Sequence, residues 1–191
     1  MMAHKPEGRT LMKPYATDKI RNICLMGHGG SGKTTFTEAA LFLTKAIDRM
    51  GKAADGTTVS DFDPEEVKRK ISVSTSLVPV EWKGNKINFI DIPGYFDFAG
   101  ETVQGLRAAD GCYIMVGGKD GVDVGTEKAW KACLKNKLPK AVIVTKVEED
   151  DADFAGVLAS INSTFNVTAC PIFVSLKNDR KLEGFVNVID K

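Results

Sequence analysis

The sequence predicts an α/β protein: a mostly parallel sheet with one antiparallel hairpin strand and helices on both faces. Three observations carry that prediction. Short apolar runs alternate with stretches of helical periodicity along the 191 residues, as in a layered α/β domain. Gly27 to Thr34 read GHGGSGKT, a complete G-x-x-x-x-G-K-T loop set between a buried run and a helix start. Asp91-Ile92-Pro93-Gly94 then follows another apolar run, at a strand's carboxyl end, where open α/β sheets take their ligands.

The elements follow in chain order. Residues 1–18 contain two prolines and little apolar periodicity, so a mobile tail is expected, with Met12 as an alternative start. Ile20, Ile23, Cys24, Leu25 and Met26 make the first strand, and Thr34 to Phe42 the first helix. The polar stretch up to Ile71, with Gly51, Gly56, Asp61, Asp63 and Pro64, is too long for an ordinary connection and is expected to be a mobile functional loop. Ser72 to Trp82 alternates as a strand should, Lys83-Gly84-Asn85-Lys86 turns, and Ile87 to Ile90 runs back as a hairpin. Cys112 to Val116 and Ala141 to Val144 are further strands, with helices near Thr126 to Lys137 and over Phe154 to Phe165. The domain proper is expected over residues 19–170.

Composition narrows the class. Lys and Arg number 26 against 25 Asp and Glu, so nothing in the balance suggests a general affinity for nucleic acid or an anionic membrane. Cys24, Cys112, Cys133 and Cys170 lie far apart without a C-x-x-C pair, which favours buried free thiols in a reducing compartment over disulfides or a metal site. No apolar run approaches the roughly 20 residues that span a bilayer, and no signal-peptide core is present, so a cytoplasmic location is expected. The consecutive acids Glu148, Glu149, Asp150, Asp151 and Asp153 fit a solvated loop and helix start rather than converging metal ligands.

The chemistry sits in the two motifs. The glycines among Gly27, His28, Gly29, Gly30, Ser31 and Gly32 let backbone N–H groups turn inward, and the helix N-terminus adds partial positive charge, so a di- or triphosphate is the expected occupant. Lys33 would reach the outer phosphates, the Thr34 hydroxyl would hold Mg²⁺, and Thr35 continues the cradle. In Asp91-Ile92-Pro93-Gly94, Asp91 would hold Mg²⁺ through water, and the bare N–H of Gly94 would touch a γ-phosphate. Asp-Ile-Pro-Gly alone is also a good turn sequence; its place after the phosphate loop and a hairpin gives it weight.

These segments resemble a known family. NICLMGHGGSGKTTFTEAALF, KRKISVS, VEWKGNKINFIDIPGYFDF, DGCYIMVGGKDGV, TEKAW and DADF occur in the order found in the translational GTPases, and among them elongation factor G and its bacterial relatives. The resemblance runs from about Ile20 to the C-terminus. It implies a P-loop NTPase of the Ras-like G-domain type, GTP or GDP with Mg²⁺ as ligands, and the ribosome as partner. It also makes the stretch up to Ile71 switch I and Gly94 to about Arg107 switch II. Ser72 falls where the family has the switch I Thr that completes the Mg²⁺ shell, so the implied metal ligands are Thr34, Ser72 and Asp91.

Four departures accompany the match. Tyr95 stands where the family has the histidine that positions the attacking water, which puts hydrolysis in doubt. Thr145-Lys146-Val147-Glu148 stands for the guanine-reading N-K-x-D; Glu148 keeps a carboxylate one methylene longer, and Thr145 is expected not to brace the loop as Asn would. Gly30 replaces a common acid, and Lys70 a usual Gly. Residues 171–191 resemble the opening of the insert that elongation factor G carries within its G domain; the alternative is a last sheet strand with Ser175-Leu176-Lys177 as a base-contacting loop. The chain as a whole resembles an N-terminal fragment. Three functions fit the residues: a GTP-hydrolysing G domain with impaired intrinsic activity, a nucleotide-binding module that does not hydrolyse, and a P-loop kinase or ATPase.

Overall fold

The computed structural model describes residues 13–95, 99–178 and 181–190. Its centre is a five-stranded sheet in the order β2-β3-β1-β4-β5. The strands are β1 (Ile20–Gly27), β2 (Ser76–Trp82), β3 (Asn85–Asp91), β4 (Gly111–Gly117) and β5 (Lys140–Thr145). β1 pairs in parallel with both β3 and β4, and β4 with β5. Only β2 runs antiparallel, returning on β3 from Ser76 opposite Asp91 to Trp82 opposite Asn85. Pro79 cannot donate to a ladder, and it stands on this edge strand, where that costs least.

The five helices of the described residues are α1 (Lys33–Leu43), α2 (Pro64–Arg69), α3 (Ala99–Ala108), α4 (Val124–Lys135) and α5 (Phe154–Phe165). Strand alternation divides the core between the two faces of the sheet. Cys24, Met26, Cys112, Ile114 and Val116 face α3, α4 and α5 through Leu106, Ala129, Cys133, Val157 and Ile161. Leu25, Val78, Val80 and Phe89 face α1 through Leu41 and the half-buried Phe36. Phe36 meets Phe89 edge-on at 5.3 Å between ring centres. The sheet is therefore sandwiched, and the carboxyl ends of β1 and β3 emerge together where α1 begins.

Several elements differ from the sequence reading. The second strand begins at Ser76 rather than Ser72, which leaves Ser72 in irregular chain before the sheet. The stretch expected as a loop contains α2, whose start is fixed by a reciprocal cap: Asp63 accepts from backbone ahead of it while Glu66 reaches back to the Asp63 N–H at 3.2 Å. α3 occupies much of the expected switch II, whose residues 96–98 lie outside the described residues. Of the expected tail, residues 1–12 also lie outside, while the Lys13 N–H donates to Glu81 and Thr17–Lys19 forms a short 3₁₀ turn. Cys24, Cys112 and Cys133 are buried free thiols, but Cys170 is an exposed one.

Two further strands, β6 (Phe173–Asn178) and β7 (Lys181–Asn187), pair only with each other, antiparallel. Ser175, Leu176 and Lys177 lie within β6 and not in a loop.

Candidate functional site

The loop that leaves β1 is built on backbone that side chains would obstruct. Gly27 has φ 141°, and a Cβ there would collide with the Met115 carbonyl. Gly30 and Gly32 take φ 77° and 89°, left-handed values that glycine adopts freely. Gly32 is the N-cap of α1, and among the described residues no side chain caps that helix, an arrangement that suits its first N–H groups to an anion. His28 and Thr35 are exposed, whereas Ser31 is buried and its hydroxyl has no hydrogen-bond partner among the described residues.

Lys33 is 7 % exposed, and its Nζ folds back onto the carbonyls of His28 at 2.8 Å and Gly27 at 3.2 Å. Burial pulls its pKa down, against the raising fields of Asp91, Asp123 and Asp61. A buried ammonium whose hydrogen-bond partners among the described residues are neutral carbonyls is suited to an anion.

Asp91, at the end of β3, is 1 % exposed. Its Oδ2 accepts from the Thr34 hydroxyl at 2.9 Å, while Oδ1 has no partner among the described residues. Burial pushes its carboxyl up to about 6, opposed by the charge of Lys33 and the Thr34 hydrogen bond. Thr34 Oγ1 lies 3.3 Å from Ser72 Oγ, and Ser72 donates to Asp61 Oδ1 at 2.7 Å. The structure thus brings Thr34, Ser72 and Asp91 together from three separate segments. With Thr34 donating to Asp91 and Ser72 to Asp61, the two hydroxyl oxygens turn lone pairs toward each other. Two hydroxyls and an orphaned carboxylate oxygen are the hard donors that Mg²⁺ takes. Among the described residues no group of three His, Cys, Asp or Glu is placed to hold a metal.

Asp61 and two other buried acids were not singled out as site residues in the sequence. Asp61 is 6 % exposed; burial raises its pKa, and the Ser72 hydrogen bond is the main opposing influence. Glu66 accepts from the N–H groups of Val73 at 2.9 Å and Ser74 at 3.0 Å, fixing the chain just past Ser72. Glu38 of α1 accepts from Gly51 at 2.7 Å and Val59 at 2.6 Å. The expected mobile loop is therefore tied to α1 by Glu38, and its own α2 is tied by Glu66 to the chain that leads into β2. Asp63-x-x-Glu66 is a capping-box spacing and was legible; Glu38 and Asp61 carry no local signal. Lys70, the C-cap of α2, has φ 58° and ψ 37°, a left-handed conformation in which glycine is the unstrained residue.

The chain after Asp91 lies on the phosphate loop. Ile92 and Pro93 are buried, and a Cβ on Gly94 would come within 2.5 Å of Lys33 Nζ and 2.8 Å of Gly29 N, so only glycine passes there. The Tyr95 ring rests on Gly29 and is 45 % exposed.

The expected base-reading segment corrects one expectation. The Thr145 hydroxyl lies within donating distance of the Ser31 carbonyl, at 2.8 Å, and of the Val116 carbonyl, at 3.2 Å, so Thr145 braces the phosphate loop after all. The short hydroxyl suffices because Thr145 ends β5 directly beside Gly32 of that loop. Lys146 follows at φ 55°, and Glu148 stands exposed on the next turn. Lys177 of β6 donates to the carbonyls of Glu149 at 2.6 Å and Ala152 at 3.0 Å, tying that turn to the C-terminal hairpin.

Comparison with known proteins agrees with this geometry. The family described as the elongation factor Tu GTP-binding domain matches residues 18–191. An elongation factor G-like protein of Mycobacterium tuberculosis is 37% identical over 155 residues, 81% of this chain and 22% of that protein. Elongation factor G 2 of Borreliella burgdorferi is 35% identical, with 89% of this chain and 25% of that protein covered. The mitochondrial ribosome-releasing factor 2 of Culex quinquefasciatus is likewise 35% identical over 89% of this chain. A crystal structure of a Thermus thermophilus protein superposes with a TM-score of 0.84 at 38% identity, covering 89% of this chain and 26% of that one. The chain spans about a quarter of the length of the relatives it matches. No helix of the described residues is long and apolar enough to cross a membrane.

Proposed function

The chain belongs to the elongation factor Tu GTP-binding-domain family and has its Ras-like G-domain fold, and from that premise we propose that it binds Mg²⁺ with GTP or GDP and hydrolyses GTP slowly, as the nucleotide-binding part of an elongation factor G-like protein working on the ribosome. The observation that carries the reading is the meeting of Lys33, Thr34, Ser72 and Asp91 beside the uncapped start of α1.

Each group has a task in that reading. The N–H groups of His28 to Thr35 and the Lys33 ammonium bind the phosphates, and Lys33 gives up its loop carbonyls to do so. Thr34, Ser72 and Asp91 would hold Mg²⁺, which when bound neutralises charge on the phosphate oxygens. Gly94 offers its N–H toward a γ-phosphate, with Ile92 and Pro93 fixing the approach. Thr145 holds the loop through the Ser31 carbonyl, and in this reading Lys146 and Glu148 would face the base. Glu148 accepts from guanine's ring N–H and amino group from a longer arm than Asp has. Guanine preference over adenine is correspondingly weaker, by about 1–3 kcal/mol.

Hydrolysis is slow because Tyr95, at the place for positioning water, presents a phenol rather than an imidazole and rests on Gly29. Tyr95 also fits a module that binds nucleotide without hydrolysing it, whereas an adenine-specific kinase needs neither Gly94 against Lys33 nor Ser72 beside Thr34. Calorimetric titration with GDP, GTP and ATP, with and without Mg²⁺, tests the proposal. Guanine nucleotides should bind most tightly, and only with full strength in Mg²⁺. Equal ATP binding, or none of the three binding, would overturn it.

A further inference from the structure

The D-x-x-G segment ends in an aromatic ring seated on the phosphate loop. A Cβ built on Gly29 would fall 2.8 Å from Tyr95 Cζ, 3.0 Å from Cε2 and 3.2 Å from Cε1, so the phenol end of the ring lies directly on the Gly29 backbone. Gly29 does not have a left-handed φ. Its lack of a side chain is therefore required by the ring above it and not by its own backbone. Gly29 and Tyr95 are a matched small-and-large pair.

Their place in the site gives the pairing a consequence. Outer phosphates in such loops bind the lysine. Lys33 Nζ lies against Gly94, and Gly94 against Gly29 N, so the position between Lys33 and the Gly94 N–H is bordered by the residue that carries the ring. A diphosphate reaches the loop N–H groups and Lys33 without needing that outer position. A third phosphate would enter it, next to the backbone on which the ring rests.

A place to receive it adjoins. Among the described residues a cavity of about 230 Å³ opens beside Tyr95, with Met26, Ile92, Ala129 and Ala132 on the apolar side of its wall and Thr102 and Lys128 on the polar side. A cavity of roughly 150 Å³ lined by aliphatic side chains holds a benzene ring. The space therefore accommodates the displaced phenol, at the loss of its contact with Gly29.

We infer that Tyr95 is a specificity-determining residue: seated on Gly29, it biases the site toward nucleoside diphosphates over triphosphates, and it moves into the neighbouring cavity when a triphosphate binds. This inference rests on the guanine-nucleotide reading above. It assigns Tyr95 a binding role separable from its effect on hydrolysis.

The test is competition of unlabelled GDP and GTP against a fluorescent GDP analogue, in Mg²⁺, on the full chain and its variants. Tyr95→Ala should raise the ratio of GTP to GDP affinity by about 3- to 10-fold, the scale of one lost aromatic contact. Tyr95→Phe keeps the ring and should keep the wild-type ratio. Gly29→Ala places a methyl under the ring and should raise the ratio as Tyr95→Ala does, and add nothing in the Tyr95→Ala background. Tyr95 is half exposed, so its truncation leaves the fold intact. Tight GDP binding with a ratio unmoved by Tyr95→Ala, or an undiminished Gly29→Ala effect in that background, overturns the inference alone. Absence of any nucleotide binding by the wild type overturns the functional reading with it.

Discussion

Replacing Glu66 with alanine should both destabilise the chain and unseat Ser72. Its carboxylate is 2 % exposed and accepts three backbone N–H groups: Val73 at 2.9 Å, Ser74 at 3.0 Å and Asp63 at 3.2 Å. Hydrogen bonds to a charged acceptor contribute about 1.5–3 kcal/mol each, and removing the acceptor leaves the donors buried without partners. Water entering the vacated space recovers part of that, so the net loss should be about 3–4 kcal/mol. That is a large share of the about 5–15 kcal/mol by which domains are stable. Urea unfolding measures it, and amide exchange over residues 63–75 shows whether the loss is local to α2 and the Ser72 segment. Mg²⁺-dependent tightening of GDP binding should weaken in parallel, because Ser72 is held just before Val73. A loss under about 1 kcal/mol with unchanged exchange would refute the claim that Glu66 anchors this segment.

Three further outcomes are expected. Lys70→Gly should stabilise the chain by up to about 1 kcal/mol, measured by urea unfolding, because φ 58° strains any side chain there. Asp91 is neutral in folded and unfolded chains below its ordinary 3.8; as pH rises toward about 6 the unfolded chain ionises first, so stability falls across that window by up to about 3 kcal/mol. Asp91→Asn should remove that slope, and Mg²⁺ binding to the wild type should tighten as pH rises through about 6. Unaided GTP turnover, followed by phosphate release, should fall far below about 1 s⁻¹, and a rate near that value would show that Tyr95 positions water as well as histidine does.

The sequence and the structure agree where function is written in contiguous residues. Gly27 to Thr34 and Asp91 to Gly94 are local patterns whose glycines answer to backbone angles and close approaches, so they were legible one residue at a time. The hairpin was legible because strand alternation has a period of two and its turn has few solutions. What escaped was set by distant partners. Glu38 binds Gly51 and Val59, and Glu66 binds Val73 and Ser74, across gaps no periodicity marks. Ser72 was placed by resemblance, yet the start of its strand moved to Ser76 because the chain first turns toward Asp61 and Thr34. Thr145 was weighed by the amide it lacks, without the nearness of the end of β5 to the phosphate loop, which its hydroxyl reaches at the Ser31 carbonyl. The C-terminal hairpin forms its own small sheet, and its Lys177 contact with the Glu149 turn joins residues 28 positions apart.

The central claim is that the Gly27 to Thr34 loop binds nucleotide phosphates through Lys33, and a paired titration tests it most directly. GTP with Mg²⁺ should bind the wild type and fail to bind Lys33→Ala at concentrations about 100-fold above the wild-type Kd, because a buried charge-assisted contact to phosphate is lost. Equal affinity of the two proteins would contradict the account.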